Sequence, residues 1–301
     1  MWWTHPKTVE LTSRCRRATL IHLALVLLSA NGCGRAQEKD APALPQRIVS
    51  TAPNLTAIIE ELGESDRLVG ISSYCRAPAG RDLPRVGGYL DPDVETIVAL
   101  EPDAIFSAPN PHLEQAMSAF DIPIRVFQSQ WSTVADTRAC IRAVADALGV
   151  PARGAELGNE LDRELHAVRE KSEERTTRRV LFVIERQPGS MIVVGPGTHL
   201  SELIGIAGGQ NVITQGAPYP NVGIETVVSL GPEVIIDVSV RGKALSDDGA
   251  AATTSIWSAF GTIPAVQEGR VYLEHPDDLV QPGPHLGKSA ARLFELIHGA
   301  S

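Results

Sequence analysis

Two stretches of this chain are copies of one another, and the copying restricts what the chain can fold into. The first is Tyr89-Leu-Asp-Pro-Asp-Val-Glu95-Thr-Ile-Val-Ala-Leu100-Glu-Pro102-Asp-Ala-Ile105. The second is Tyr219-Pro-Asn-Val-Gly-Ile-Glu225-Thr-Val-Val-Ser-Leu230-Gly-Pro232-Glu-Val-Ile235. They align without a gap at an offset of 130, and Asp103 falls opposite Glu233. Each copy predicts a polar loop, then a short helix with Glu near its start and apolar residues at helical spacing. A proline stops the helix, and an apolar run follows that reads as a buried parallel strand. One such unit cannot bury itself. Two of them predict two similar α/β lobes, and a two-lobed chain invites a ligand between the lobes.

The rest of the chain alternates strand and helix around these units. Arg47-Ile-Val-Ser50 predicts a strand, with Asn54 as cap of a helix from Leu55 to Leu62. Arg67 to Ile71 predicts a second strand, and Ser72 to Asp93 a long loop of the kind that carries function. Helices are predicted near 112–119 and 134–148, and a strand at 124–127. This alternation is the pattern of a parallel sheet with covering helices. Pro151 to Thr176 differs: it is highly charged, with Leu157, Leu161, Leu165 and Val168 on one face. One helix of about 24 residues spans roughly 36 Å, enough to run from lobe to lobe. Beyond it, strands are predicted at 179–184, 234–238 and 270–273. Helices are predicted at 199–207 (capped by Thr198), near 255–260, and at 285–297.

The N-terminus reads as a leader. Lys7, Arg14, Arg16 and Arg17 precede an apolar run from Ala18 to Ala30, too short for a comfortable membrane span but suited to a signal peptide. Asn31-Gly32-Cys33 resembles a lipobox, which implies lipidation of Cys33. Residues 1–32 are thus read as a signal peptide and 33–46 as a flexible tether. The N-terminal lobe is placed at 47–150, the linking helix at 151–177 and the C-terminal lobe at 178–301. The net charge of −9 argues against nucleic acid. The leader holds four basic residues and one acidic, so the remainder has 23 basic against 35 acidic residues, a net charge of −12. Cys75 and Cys140 remain after the leader and Cys33, either as one disulfide or as two half-buried thiols.

The ordered pieces then carry a resemblance. They are Ile48-Val-Ser50, Ala52-Pro-Asn54, Glu61-Leu-Gly63, Val69-Gly-Ile71, Leu83-Pro-x-Val-Gly-Gly88 and the first repeat. Further on come Gly195-Pro-Gly-Thr-x-Leu-x-Glu-Leu203, Ala207-Gly-Gly-x-Asn211, the second repeat, Val266-x-x-Gly-Arg-Val-Tyr272 and Gln281-Pro-Gly-Pro284. Over about 47–298 the chain resembles the helical-backbone substrate-binding proteins of ABC importers, which serve vitamin B12, ferric siderophores and haem. The resemblance implies an α/β fold of two Rossmann-like lobes with central sheets, joined by a single long rigid helix. It implies a monomer that binds a small-molecule ligand in the interlobe cleft and docks on a permease dimer with cytoplasmic ATPases. The family's docking carboxylates map onto Glu95 and Glu225. The structural alternative is that each Glu simply favours the positive end of its helix, by a few tenths to about 1 kcal/mol.

Ligand-binding candidates are Pro53, Asn54, Tyr74, Gly88, Tyr89, Asn110, Trp131, Arg186, Tyr219, Arg241 and His275, with Ser73 and Asp277 beside them. A flat macrocycle suits aromatic walls with few polar contacts. The stretch Ser72-Ser-Tyr-Cys-Arg-Ala-Pro78 is similar to members assigned to cobalamin. A corrinoid therefore ranks first, ahead of ferric siderophore and haem, while Arg186 and Arg241 keep anionic siderophores open. No cofactor beyond the carried ligand is implied. His112, His199, His275 and His285 are dispersed, so a metal-ion carrier is a lesser reading. The chain is read as a non-enzyme. Gly283-Pro-His-Leu-Gly-Lys288-Ser289 is one residue short of a phosphate loop, and Pro284 removes a needed donor. A secreted two-lobed enzyme is the remaining alternative.

Overall fold

β1 (Ile48–Ser50), fully buried, is flanked by parallel neighbours on both edges. The structure is a computed structural model and describes residues 44–88, 90–127, 133–239 and 257–299, without the side chains of Asp277 and Asp278. β2 (Leu68–Ile71), β1, β3 (Ala104–Ser107) and β4 (Ile124–Val126) form a parallel sheet in the order β2-β1-β3-β4. Successive residues of a strand point to opposite faces, and here both faces are buried. Ile48 and Phe106 pack with α1 (Pro53–Glu61) and α4 (Val134–Leu148). Val49 and Ile105 pack with α2 (Val94–Ala99) and α3 (Pro111–Ser118). Asn54 does not cap α1. The helix starts earlier, with Ala52 at the cap and Pro53 in the first turn, where its fixed φ is pre-organised.

α5 (Pro151–Glu173) is the linking helix, 23 residues with Pro151 in its first turn. Its length is about 34 Å. Leu157, Leu161, Leu165 and Val168 are buried in one continuous core that also holds Ile141 and Val144 of the first lobe and Leu203 and Leu293 of the second. The approach is close on both sides. A Cβ added at Gly154 would run into Ala145 Cβ of α4, and one added at Gly287 into Glu164 of α5.

The second sheet is mixed, not the parallel sheet that strand–helix alternation predicts. β5 (Arg178–Gln187) is parallel to β7 (Gly209–Asn211) and to β9 (Val234–Asp237), which is parallel to β10 (Val271–Leu273). β6 (Ser190–Val193) runs antiparallel to β5, and β8 (Asn221–Gly223) antiparallel to β6. Gly189, at φ 78°, makes the turn that folds β5 back on itself. α6 (His199–Ile206), α7 (Ile224–Leu230), α8 (Pro264–Gln267), α9 (Pro276–Leu279) and α10 (Leu286–His298) complete the lobe. Of the helix predicted near 255–260, Trp257 and Ser258 are helical and a turn follows, while 255 and 256 lie outside the described residues.

The repeat is structural as well as sequential. The Asp103 carboxylate accepts the N–H groups of Gln46 and Arg47 at 2.7 and 2.9 Å. In the second lobe Glu233 accepts the N–H of Arg179 at 2.8 Å. The Arg47 guanidinium donates to the carbonyls of Leu100 and Glu101 after α2, and that of Arg179 donates to the carbonyl of Leu230 at the end of α7. Each repeat helix thus has a cation on its negative end. The residues that align just past each helix are left-handed: Glu101 at φ 46° and Gly231 at φ 53°. That conformation costs a non-glycine residue about 1–2 kcal/mol, a cost the second copy avoids. Cys75 and Cys140 form no disulfide; both are free and buried. Burial pushes the Cys140 thiol up to about 12, and burial also raises Cys75, against a hydrogen bond from Thr56.

Candidate ligand site and docking faces

Because the first sheet is parallel, its strands all end on one edge, where ligands of open α/β sheets bind. Pro53 and Asn54 follow β1, Tyr74 follows β2 and Asn110 follows β3. Asn54 is buried inside the first turn of α1. Asn110 is buried as the cap of α3 and accepts the Leu113 N–H at 3.1 Å. A polar seam lies under this edge: Thr51 Oγ1 donates to Ser107 Oγ at 2.9 Å, and Thr56 Oγ1 to Ser50 Oγ at 2.8 Å.

The long loop after β2 is held back on the sheet. Ile71 pairs with Arg85, Gly87 with Pro92, and the Ser73 N–H donates to Gly87 O at 2.8 Å. Arg85 Nη1 donates to the carbonyls of Ser72 and Cys75 at 3.1 and 2.5 Å. Tyr74 stands out of this loop at 73% exposure. A Cβ at Gly88 would lie 3.0 Å from the Tyr74 ring, so glycine is what lets the ring rest on backbone there. An aromatic ring this exposed is the kind of apolar face a flat ligand covers.

In the second lobe the same edge is set by Asp237, which ends β9 opposite Val183. The β5–β6 hairpin continues past that level and carries Arg186, which pairs with Met191. The Glu274 N–H donates to Asp237 O at 3.1 Å, which brings His275, partly buried, to the end of β9. Tyr219 stands level with Val194, one residue past the Val183–Val193 pair, because the carbonyls on either side of it, of Pro218 and Pro220, accept the N–H groups of Gly195 at 2.7 Å and Val193 at 3.1 Å. A Cβ at Gly195 would run into the Ala217 carbonyl, so glycine is required for this loop to close on the sheet. Tyr219 is 46% exposed, and the cover it does have raises its phenol above the ordinary range. Gly283, between α9 and α10, comes close to the first lobe: a Cβ there would lie 3.9 Å from Asn54 Cβ.

Sequence reasoning missed the buried cluster around Asp237. This carboxylate is fully buried and accepts from Ser239 N (3.0 Å), Ser239 Oγ (2.6 Å) and Trp257 Nε1 (2.9 Å). Arg186 Nε lies 3.2 Å from its Oδ2 and donates to Ser239 Oγ at 2.9 Å. The sequence hint was an acidic residue closing the apolar run Val234-Ile-Ile-Asp237, where a buried charge needs partners. Tyr89, Trp131, Arg241 and Cys33 lie outside the described residues, as does the side chain of Asp277.

Glu95 and Glu225 occupy the second position of α2 and α7, and both are exposed. Neither carboxylate has a hydrogen bond or ion pair among the described residues. Val228, one turn on from Glu225, is also exposed. Of the histidines, His199 is buried with Nε2 3.0 Å from Val280 O, and His285 Nε2 lies 3.7 Å from Glu61 Oε1. Among the described residues no group of three or more His, Cys, Asp or Glu side chains is placed to hold a metal ion.

Residues 48–277 match the family described as "Periplasmic binding protein". A vitamin B12-binding protein of Vibrio parahaemolyticus is 30% identical over 246 residues, covering 79% of this chain and 84% of the relative. Among solved structures, the periplasmic vitamin B12 binding protein of Vibrio cholerae superposes with a TM-score of 0.68. It is 26% identical and covers 84% of this chain and 97% of that one. A periplasmic heme-binding protein from Roseiflexus sp. RS-1, in apo form, superposes with a TM-score of 0.74 at 26% identity, over 84% of this chain and 97% of that one.

Proposed function

This chain belongs to the periplasmic binding protein family, and on that premise we propose that it captures a corrinoid between its lobes and delivers it, unaltered, to the permease of an ABC importer. The observation that carries the importer reading is the matched pair Glu95 and Glu225. Two exposed carboxylates stand at the same position of two helices built alike, each with an arginine on its far end. Carboxylates so placed suit arginine forks on a partner. The ligand class rests on the corrinoid named for relatives 30% identical over most of the chain and on the aromatic faces of Tyr74 and Tyr219. Likeness of fold to a heme-binding protein does not choose between macrocycles, because function lives in the site.

Family membership places the protein in the periplasm or otherwise outside the cytoplasm. The leader and the lipobox-like Asn31-Gly32-Cys33 support a lipid anchor at Cys33. Intact-mass analysis of membrane-extracted protein is expected to find a chain starting at a diacylated or triacylated Cys33; an unmodified start would remove the anchor. The ligand is tested by calorimetric titration of the chain lacking residues 1–33 with cyanocobalamin. One-to-one binding with Kd below about 1 μM, more than about 8 kcal/mol, is expected. Heat with haemin or a ferric siderophore but none with cyanocobalamin would move the ligand to iron carriers, and heat with none of them would reject capture of this class.

A further inference from the structure

Glu202 belongs to the second lobe, yet its carboxylate completes a helix of the first. Its Oε2 accepts the N–H of Val134 at 2.8 Å, between residues 68 apart in the chain. Val134 is the first residue of α4, whose leading N–H groups have no partner inside the helix and form its positive end. A capping box satisfies part of that end. The Thr133 hydroxyl accepts the Asp136 N–H at 3.1 Å, and the Asp136 carboxylate accepts the Thr133 N–H at 3.0 Å. The Val134 N–H is left over, and a carboxylate from the other lobe takes it in a charge-assisted bond. Glu202 is itself held in place. It lies in the first turn of α6, where its N–H donates to Thr198 O at 3.1 Å. The next residue, Leu203, is fully buried in the core that holds Ile141 and Val144 of α4, and Val134 packs against the same core.

Both helices begin at the ligand edges of their lobes. α4 follows β4, whose Val126 ends level with Ser107 of β3. α6 starts after β6 has come back to the level of Val183, and it leads to β7, which pairs with the start of β5. Apolar packing along α5 holds the lobes together but has no direction of its own. The Glu202 bond adds a fixed distance between the two edges. The contact between α1 and the start of α10 is weaker. There His285 Nε2 comes only within 3.7 Å of Glu61 Oε1, with the side chains 47% and 37% exposed, and an exposed pair of this kind holds little.

We propose that Glu202 is a positioning residue that clasps the two ligand edges at a set spacing before any ligand enters, leaving the contact between α1 and α10 as the one that yields when the lobes part. The inference concerns the empty carrier and holds whichever ligand is carried.

The test uses the ligand-free chain lacking residues 1–33, whose two remaining cysteines are buried. Nitroxide labels are placed at Gln115→Cys on α3 and Gln267→Cys on α8, both exposed, and the interlobe distance distribution is read by pulsed dipolar spectroscopy. Glu202→Ala is expected to widen the distribution at least two-fold and to speed amide exchange of Val134 about ten-fold, with exchange of Ile105 in β3 unchanged. Glu202→Gln keeps an oxygen that accepts the Val134 N–H, and its distribution is expected to stay close to that of the wild type. An unchanged distribution in Glu202→Ala would overturn the proposal, and with a lowered melting temperature it would make Glu202 a helix cap alone. A widened distribution with unchanged Val134 exchange would overturn it too, because the loss would then arise away from this bond.

Discussion

Replacing Glu95 and Glu225 together by alanine is expected to lower cellular uptake of the ligand about 100-fold while leaving its calorimetric affinity within about two-fold. The size follows from what the carboxylates do if they meet cations on a permease. Truncating one side of a hydrogen-bonded charge pair costs about 2–5 kcal/mol when the pair is buried, and less at a rim. Two partly covered pairs together reach about 3 kcal/mol, and each 1.4 kcal/mol is a factor of ten. The competing role, favourable contact of each Glu with its own helix dipole, is worth at most about 1 kcal/mol apiece. It would show as a lower melting temperature with normal uptake. Each single substitution should give an intermediate defect, since one lobe still docks. The measurement pairs an uptake assay in cells depending on this carrier with titration of the purified variants. Equal losses of uptake and affinity would place the two residues in ligand binding or folding and remove them from docking.

Much of the lobed plan was legible because its causes are local. The repeat announced itself through spacing, and the α5 stripe through leucines four and three residues apart. Thr198 caps α6 as its side-chain chemistry predicts, accepting the Ser201 N–H at 3.1 Å. The second sheet was less legible. β6 and β8 are short strands whose direction is set by the turn at Gly189 and by pairing partners far along the chain, and neither carries a period that shows orientation. Asn54 misled because a good capping residue lay beside a proline that starts a helix equally well. The Arg186–Asp237 cluster was hidden for another reason. Arg186 is visible as a charge, and Asp237 as an odd acid at the end of an apolar run, yet nothing within 51 residues of either tells that they meet. That meeting gives Arg186 its counter-charge inside the chain, and only coordinates show it.

Leu161→Ala is expected to destabilise the protein by about 2–5 kcal/mol, the cost of a cavity at a fully packed leucine, and to do so in both lobes at once. Leu161 is 1% exposed and sits in the stretch of α5 between Leu157 and Leu165, within a core that passes without a break from Ile141 and Val144 to Leu203 and Leu293. A helix that merely spaced two independent lobes would present its apolar face to one or the other. This one presents the same face to both, and close approach at Gly154 and Gly287 leaves little room to relax around a lost side chain. The free energy should therefore be lost from a shared unit. Amide exchange in β1 and β5, at opposite ends of that core, should speed up by the same factor in the variant. Glu160→Ala, on the exposed face of the same turn, should change stability by less than about 0.5 kcal/mol. Loss of protection confined to one sheet would mean that the lobes unfold separately and that α5 is a tether between them. Equal loss would mean that their relative orientation is fixed by the core itself, so that the spacing of Glu95 and Glu225 is a property of the packed molecule before any ligand arrives.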